Sequence, residues 1–154
     1  MSDWKRSTRE VAFDGLMPEM VGAVNKHIEL YNLGSILTDA LMCIQTDSEK
    51  ARKGLFGKAE LVRQGAVVTP RWLLWSVIDS SNKAAVLSAQ LSDVVVQNYA
   101  QTQFMKMIPD SGIQVNGRFT NGLENSSAFI GLEDADVGRK FTETVIRAVQ
   151  ESKK

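Results

Sequence analysis

Cysteine and histidine are almost missing from this chain, which has one of each among 154 residues. A lone Cys43 cannot close an internal disulfide, which fits a reducing compartment. One histidine and one cysteine also exclude every multi-histidine or cysteine-rich zinc site, so no metal or cofactor is expected. No apolar run approaches the roughly 20 residues that a membrane span requires. The opening Met-Ser-Asp-Trp-Lys-Arg is polar and carries no apolar signal core, so a cytoplasmic chain is expected. In that setting the sequon Asn125-Ser126-Ser127 reads only as a polar turn. Excess charge is missing too: 18 Lys and Arg balance 18 Asp and Glu. The balance gives no overall pull toward nucleic acid or an anionic surface. Neither standard glycine-rich phosphate loop occurs; Gly54-Leu55-Phe56-Gly57-Lys58 holds only a G-x-x-G, too short to specify one.

What is present is ordinary globular composition, 44% hydrophobic and 23% charged, in a chain sized for one domain. Residues 1–15 are charged and lack a repeated apolar period, so they are expected to be a mobile arm that Trp4 and Phe13 could dock. A single domain is expected over 16–152. From Met17 to Tyr31, Met20, Val24, Ile28 and Tyr31 recur at spacings of four, four and three. This predicts an amphipathic helix, with Pro18 in its first turn and Gly34 as its stop.

The stretch from Ile36 to Leu132 is rich in Val, Ile, Thr, Phe and Trp, and turn residues punctuate it. Strands are predicted at Leu37–Thr46, Ala59–Thr69, Trp72–Asp79, Ala85–Leu91 with a continuation near Val94–Gln97, Gln103–Ile108, Ile113–Phe119 and Ala128–Leu132. Pro109-Asp110-Ser111-Gly112 signals a turn. Asn116-Gly117 and Asn121-Gly122 both signal hairpins but lie too close together for both to close one, and the second is favoured. From Asp136 to Gln150, Val137, Phe141, Val145, Ala148 and Val149 form a helical stripe, with Asp134 and Asp136 at the end where negative charge is favourable. About seven strands and a terminal helix predict a mainly β fold, a curved antiparallel sheet or barrel with the helix over an open end.

Residues able to carry catalysis are few. His27 adjoins the apolar stripe of the first helix and reads as a buried helix histidine with a hydrogen-bond partner. Cys43, among Leu41, Met42 and Ile44, reads as a small buried hydrophobe. The carboxylates of Glu133-Asp134-Ala135-Asp136 are explained by the helix start. With no nucleophile–base pair, paired catalytic carboxylates or metal cluster, an enzyme is not expected.

The segment Gly65-Ala66-Val67-Val68-Thr69-Pro70-Arg71-Trp72-Leu73-Leu74-Trp75 resembles a hairpin of bacterial pleckstrin-homology-like (PH-like) and GRAM-type domains. Ala89-Gln90-Leu91-Ser92-Asp93-Val94 is similar to their Pro-Leu-x-Asp-Ile segment, with Gln90 where proline is common. The resemblance covers residues 36–150 and implies a PH-like barrel capped by the C-terminal helix, the first helix packing outside. It also implies a frequent tendency to form homo-oligomers. In Val68–Ile78 both faces are apolar, Leu73, Trp75 and Val77 on one and Trp72, Leu74 and Ile78 on the other. Either the first helix covers the second face, or Trp72 and Trp75 mark a self-association surface. The expected function is a non-enzymatic interaction module that self-associates or meets an unidentified protein partner. The alternative is weak binding to an anionic membrane surface through the basic loop 50–58, whose candidate contacts are Lys50, Arg52, Lys53, Leu55, Phe56 and Lys58. In PH domains the corresponding loop often touches phosphoinositides.

Overall fold

The computed structural model describes residues 3–50, 57, 59–122 and 124–154. Among them eight strands and two α-helices follow in order: β1 (Trp4–Glu10), α1 (Pro18–Leu30), β2 (Met42–Lys50), β3 (Glu60–Val68), β4 (Trp72–Ile78), β5 (Ala84–Gln90), β6 (Val94–Asn98), β7 (Gly112–Arg118), β8 (Asn125–Gly131) and α2 (Asp136–Ser152). The fold is mainly β. Strands β1 to β5 form one antiparallel meander and β6 to β8 a second. Neither sheet closes on itself, and the strands among the described residues number eight where about seven were expected.

The two sheets share one apolar core because the alternating faces of their strands turn toward each other. Met42 and Ile44 of β2, Ala66 and Val68 of β3, and Leu73 and Trp75 of β4 meet Val96, Ile113, Val115 and Ile130 of the second sheet. The stripe of α2, with Phe141, Val145, Ala148 and Val149, completes this core. The helix predicted from Asp136 is present and runs on to Ser152. Between β5 and β6 the chain turns through a 3-10 helix at Leu91–Asp93. The expected continuation of one strand is therefore the first strand of the second sheet.

On its outer face the first sheet carries α1. Leu16 and Met20 pack with Cys43, Val67 and Ile78 in a second apolar cluster. Gly65 makes the seat: a Cβ there would lie 2.9 Å from Met20 Sδ and 3.0 Å from Leu16 Cδ2. The helix stops before Gly34. Asn32, at φ 55°, donates its N–H to Glu29 O, and Leu33 donates to Ile28 O. These two bonds form a Schellman cap in which asparagine takes the left-handed position usually held by glycine.

Three other expectations are corrected, and the reading of the two Asn-Gly pairs is met. Residues 4–10, placed in a mobile arm, pair along their whole length with β2, from Trp4 opposite Lys50 to Glu10 opposite Ile44. The strand expected at Leu37–Thr46 begins at Met42 and runs to Lys50. Its polar second half is retained because β1 and β3 bond it on both sides. Gln103–Ile108 is no strand; a 3-10 helix occupies Gln103–Lys106. Asn116-Gly117 lies inside β7 rather than in a turn, and Gly117 has φ 148°. A side chain there would collide with Asp93 O and the Val94 backbone, so the glycine serves close strand approach. The favoured turn at Asn121-Gly122 forms, with Gly122 N–H donating to Phe119 O at 3.1 Å.

Candidate functional site

The doubly apolar strand β4 separates the two tryptophans proposed as an interface. Trp75 is only 2% exposed. It faces Phe119 edge-on across the inter-sheet space, with ring centroids 5.2 Å apart. It is a core residue and presents no surface. Leu74 and Ile78 on the opposite face are buried, and Ile78 lies in the cluster under α1. Of the two readings of this strand, coverage by the first helix is the one found. Trp72 differs, since it is partly exposed and walls three adjoining clefts at one end of the molecule.

His27 is buried in α1 and closes a hydrogen-bonded chain. Its Nε2 lies 2.8 Å from Ser88 Oγ, and Ser88 donates to Thr120 Oγ1 at 2.7 Å. Ser88 therefore accepts from His27, which carries its proton on Nε2. Ser88 has no exposed surface, so the trio fastens α1 to β5 and the β7–β8 turn, and its hydroxyl is sealed from any substrate. Burial lowers the His27 pKa from 6.5. Above 6.5 the ring is neutral in folded and unfolded chains alike. Below it the unfolded chain takes up the proton first, so stability falls with pH until the folded ring also protonates. We expect the urea midpoint to drop between pH 7 and about 5, and this component to vanish in His27→Gln. An unchanged pH profile in that variant would assign the drop to other groups.

Burial pushes the Cys43 thiol up to about 12, which leaves it protonated in its apolar seat, as its surroundings in the sequence implied. Asp134 pairs with Arg139 at 3.2 Å and acts locally at the helix start, but Glu133, expected to do the same, instead accepts the Thr8 N–H of β1 through Oε1 at 3.0 Å. No group of three or more metal-ligating side chains is found among the described residues. No helix among them is long and apolar enough to cross a membrane.

Of the basic loop, Lys50 stands at the end of β2 with its ammonium 5.8 Å from the Trp4 ring centroid. Arg52, Lys53, Leu55, Phe56 and Lys58 lie outside the described residues. Lys50 is not among the residues that line the clefts around Trp72.

Among the described residues, the largest cluster of exposed apolar side chains was not anticipated from the sequence. After β6 the chain crosses the outer face of the second sheet in two short 3-10 helices, Tyr99–Gln101 and Gln103–Lys106. Phe104 is 44% exposed, Met107 82% and Ile108 67%. Beneath them Tyr99 packs on Phe129 of β8, with centroids 5.1 Å apart. The Tyr99 hydroxyl donates to Ile108 O at 2.6 Å and fixes the ledge. A groove of about 330 Å³ runs between ledge and sheet, lined by Tyr99, Phe104, Ile108, Gln114, Ala128 and Phe129 among others. The signal lay in the spacing: Phe104, Met105, Met107 and Ile108 do not alternate as a half-buried strand must.

Compared with protein families, with curated proteins and with solved structures, the chain matches none.

Proposed function

We propose that the chain is a PH-like interaction module that associates with copies of itself through the Phe104–Met107–Ile108 ledge. The PH-like reading is supported by two antiparallel meanders sharing one core with a C-terminal helix. The Gly65–Trp75 resemblance falls on the β3–β4 hairpin, in keeping with it. The observation that carries the functional reading is the ledge itself. Three adjacent large apolar side chains in water are costly unless covered, and such patches mark protein contacts. Beside them β8 is the outer strand of its sheet, with Asn125, Ser126 and Ser127 exposed. A two-fold contact can therefore set ledge against ledge with the exposed first residues of β8 alongside.

Light scattering coupled to size-exclusion chromatography tests this. The expected result is a discrete oligomer of the 17.0 kDa chain at two loading concentrations, reduced to monomer by Met107→Asp. Because Met107 is so exposed, that variant keeps the unfolding midpoint of the parent. A monomeric parent, or an oligomer indifferent to Met107→Asp, would overturn the proposal.

A further inference from the structure

The end of the molecule around Trp72 holds a second site, built on a rigid hairpin tip. Thr69 and Trp72 close the two-residue loop Pro70-Arg71 through Thr69 N–H donating to Trp72 O at 2.9 Å. The Thr69 hydroxyl accepts the N–H groups of Arg71 at 3.2 Å and of Trp72 at 2.9 Å. The Arg71 carbonyl accepts from Leu91 N–H at 2.8 Å. Both main-chain groups of Arg71 are thus held, and its side chain projects from a fixed backbone.

Its guanidinium has no carboxylate partner among the described residues. An arginine on a concave surface with its five N–H groups unused is positioned for an anion, which it can grip in a fork. The cleft it lines has a volume of about 750 Å³, and Trp72, Gln90, Ser92 and Glu151 help to line it. That volume lies in the range of small-molecule sites. The Gln90 amide and the Ser92 hydroxyl have no partner within the described chain either. Arginine, amide and hydroxyl therefore supply donors for three oxygens, the number a phosphate monoester presents. The indole of Trp72 provides a flat apolar wall on which a planar ring can stack. Glu151, the carboxylate on the rim, is held by Lys154 at 2.9 Å, which offsets its charge toward an incoming anion.

We propose that this cleft binds a phosphate monoester of a planar ring, the mononucleotide class, with the phosphate on Arg71 and the ring against Trp72. The cleft shares no lining residue with the Phe104–Ile108 groove, so this assignment does not rest on self-association.

The test titrates the full chain with the four ribonucleoside 5′-monophosphates, the parent nucleosides and inorganic phosphate, followed by tryptophan fluorescence and calorimetry. At least one monophosphate is expected to bind with a Kd below about 1 mM and to perturb the fluorescence. Nucleoside and phosphate alone are expected to bind more weakly. Arg71→Gln should weaken the monophosphate about tenfold or more, the effect of losing a charge-assisted bond. Trp72→Leu should abolish the fluorescence response. Since the Arg71 guanidinium has no bonding partner among the described residues, Arg71→Gln is expected to leave the thermal midpoint in place and to read binding alone. Absence of binding by all four monophosphates, or equal binding by Arg71→Gln, would overturn the assignment. Inorganic phosphate binding as tightly as the nucleotides would overturn the placement of the ring on Trp72.

Discussion

Trp75→Ala is expected to lower the unfolding free energy by about 3–5 kcal/mol, the range for deleting a large buried aromatic. The indole sits on the inner face of β4, between Ala66 of β3 and Leu87 of β5 in register. It meets Phe119 edge-on from beyond the second sheet's central strand. Ala66 has no exposed surface and too small a side chain to refill the space. The cavity would therefore persist and the edge-to-face contact would go with it. For a domain whose whole stability is about 5–15 kcal/mol, such a loss leaves a marginal fold. Urea denaturation followed by far-UV circular dichroism measures it. An interface tryptophan behaves in the opposite way, with the oligomer dissociating while the monomer keeps its midpoint. A stability change below about 0.5 kcal/mol, typical of surface substitutions, would place Trp75 outside the core.

That contrast shows where the sequence was informative. In β3 and β4 most apolar residues of both faces are buried, with Leu61 exposed and Trp72 partly so, and strand limits read from them agree with the fold to within a residue or two. The inner face of β4 fills the core, while on the other face Ile78 lies under α1. Helix α2 was equally legible because one stripe faces the core and the rest faces water. Reading failed where polar side chains do structural work. In β1 the inward positions are Arg6 and Thr8, which carry no hydrophobic signal. Thr8 nevertheless exchanges a hydroxyl contact of 2.8 Å with Thr46 and accepts the Glu133 N–H at 2.8 Å. Gln64 likewise takes a position where a strand pattern wants an apolar residue. Its amide bridges to the outer edge of β8, accepting from Gly131 N–H at 2.8 Å and donating to Phe129 O at 3.3 Å. These groups explain why the two sheets remain open on this side: side chains, not a continuous backbone ladder, satisfy the facing edges. For the candidate surfaces the same rule holds in reverse. Phe104 and Ile108 have the composition of a strand but not its alternation. Arg71 stands out only once the short Thr69–Trp72 turn fixes its backbone.

Arg6 is the strongest of these polar links. Its loss is expected to cost about 3–5 kcal/mol, the penalty for breaking one side of a buried ion pair. The side chains of Arg6 and Asp110 are 8% and 12% exposed and meet at 2.7 Å. The contact is bidentate, Nε donating to Oδ1 at 3.0 Å and Nη2 to Oδ2 at 2.7 Å. Nη1 donates to Ser48 Oγ at 2.6 Å, and the guanidinium lies 5.5 Å from the Phe129 ring centroid. One side chain of β1 thus ties β2, β8 and the turn before β7. Arg6→Met keeps much of the stem packing but deprives the Asp110 carboxylate of its guanidinium in a poorly solvated place. Asp110→Asn removes that charge while its oxygen can still accept the Ser111 N–H, now bonded at 2.7 Å. The double variant is therefore expected to be more stable than the sum of the single losses predicts, with a coupling of about 1–3 kcal/mol. Urea titrations of the four proteins close this cycle, and repeating them at high salt separates the buried pair from exposed ones such as Arg9–Asp47, which salt screens. A single-variant loss below about 1 kcal/mol, the range of surface ion pairs, or strict additivity in the cycle would mean that apolar packing alone holds the β1 side to β8.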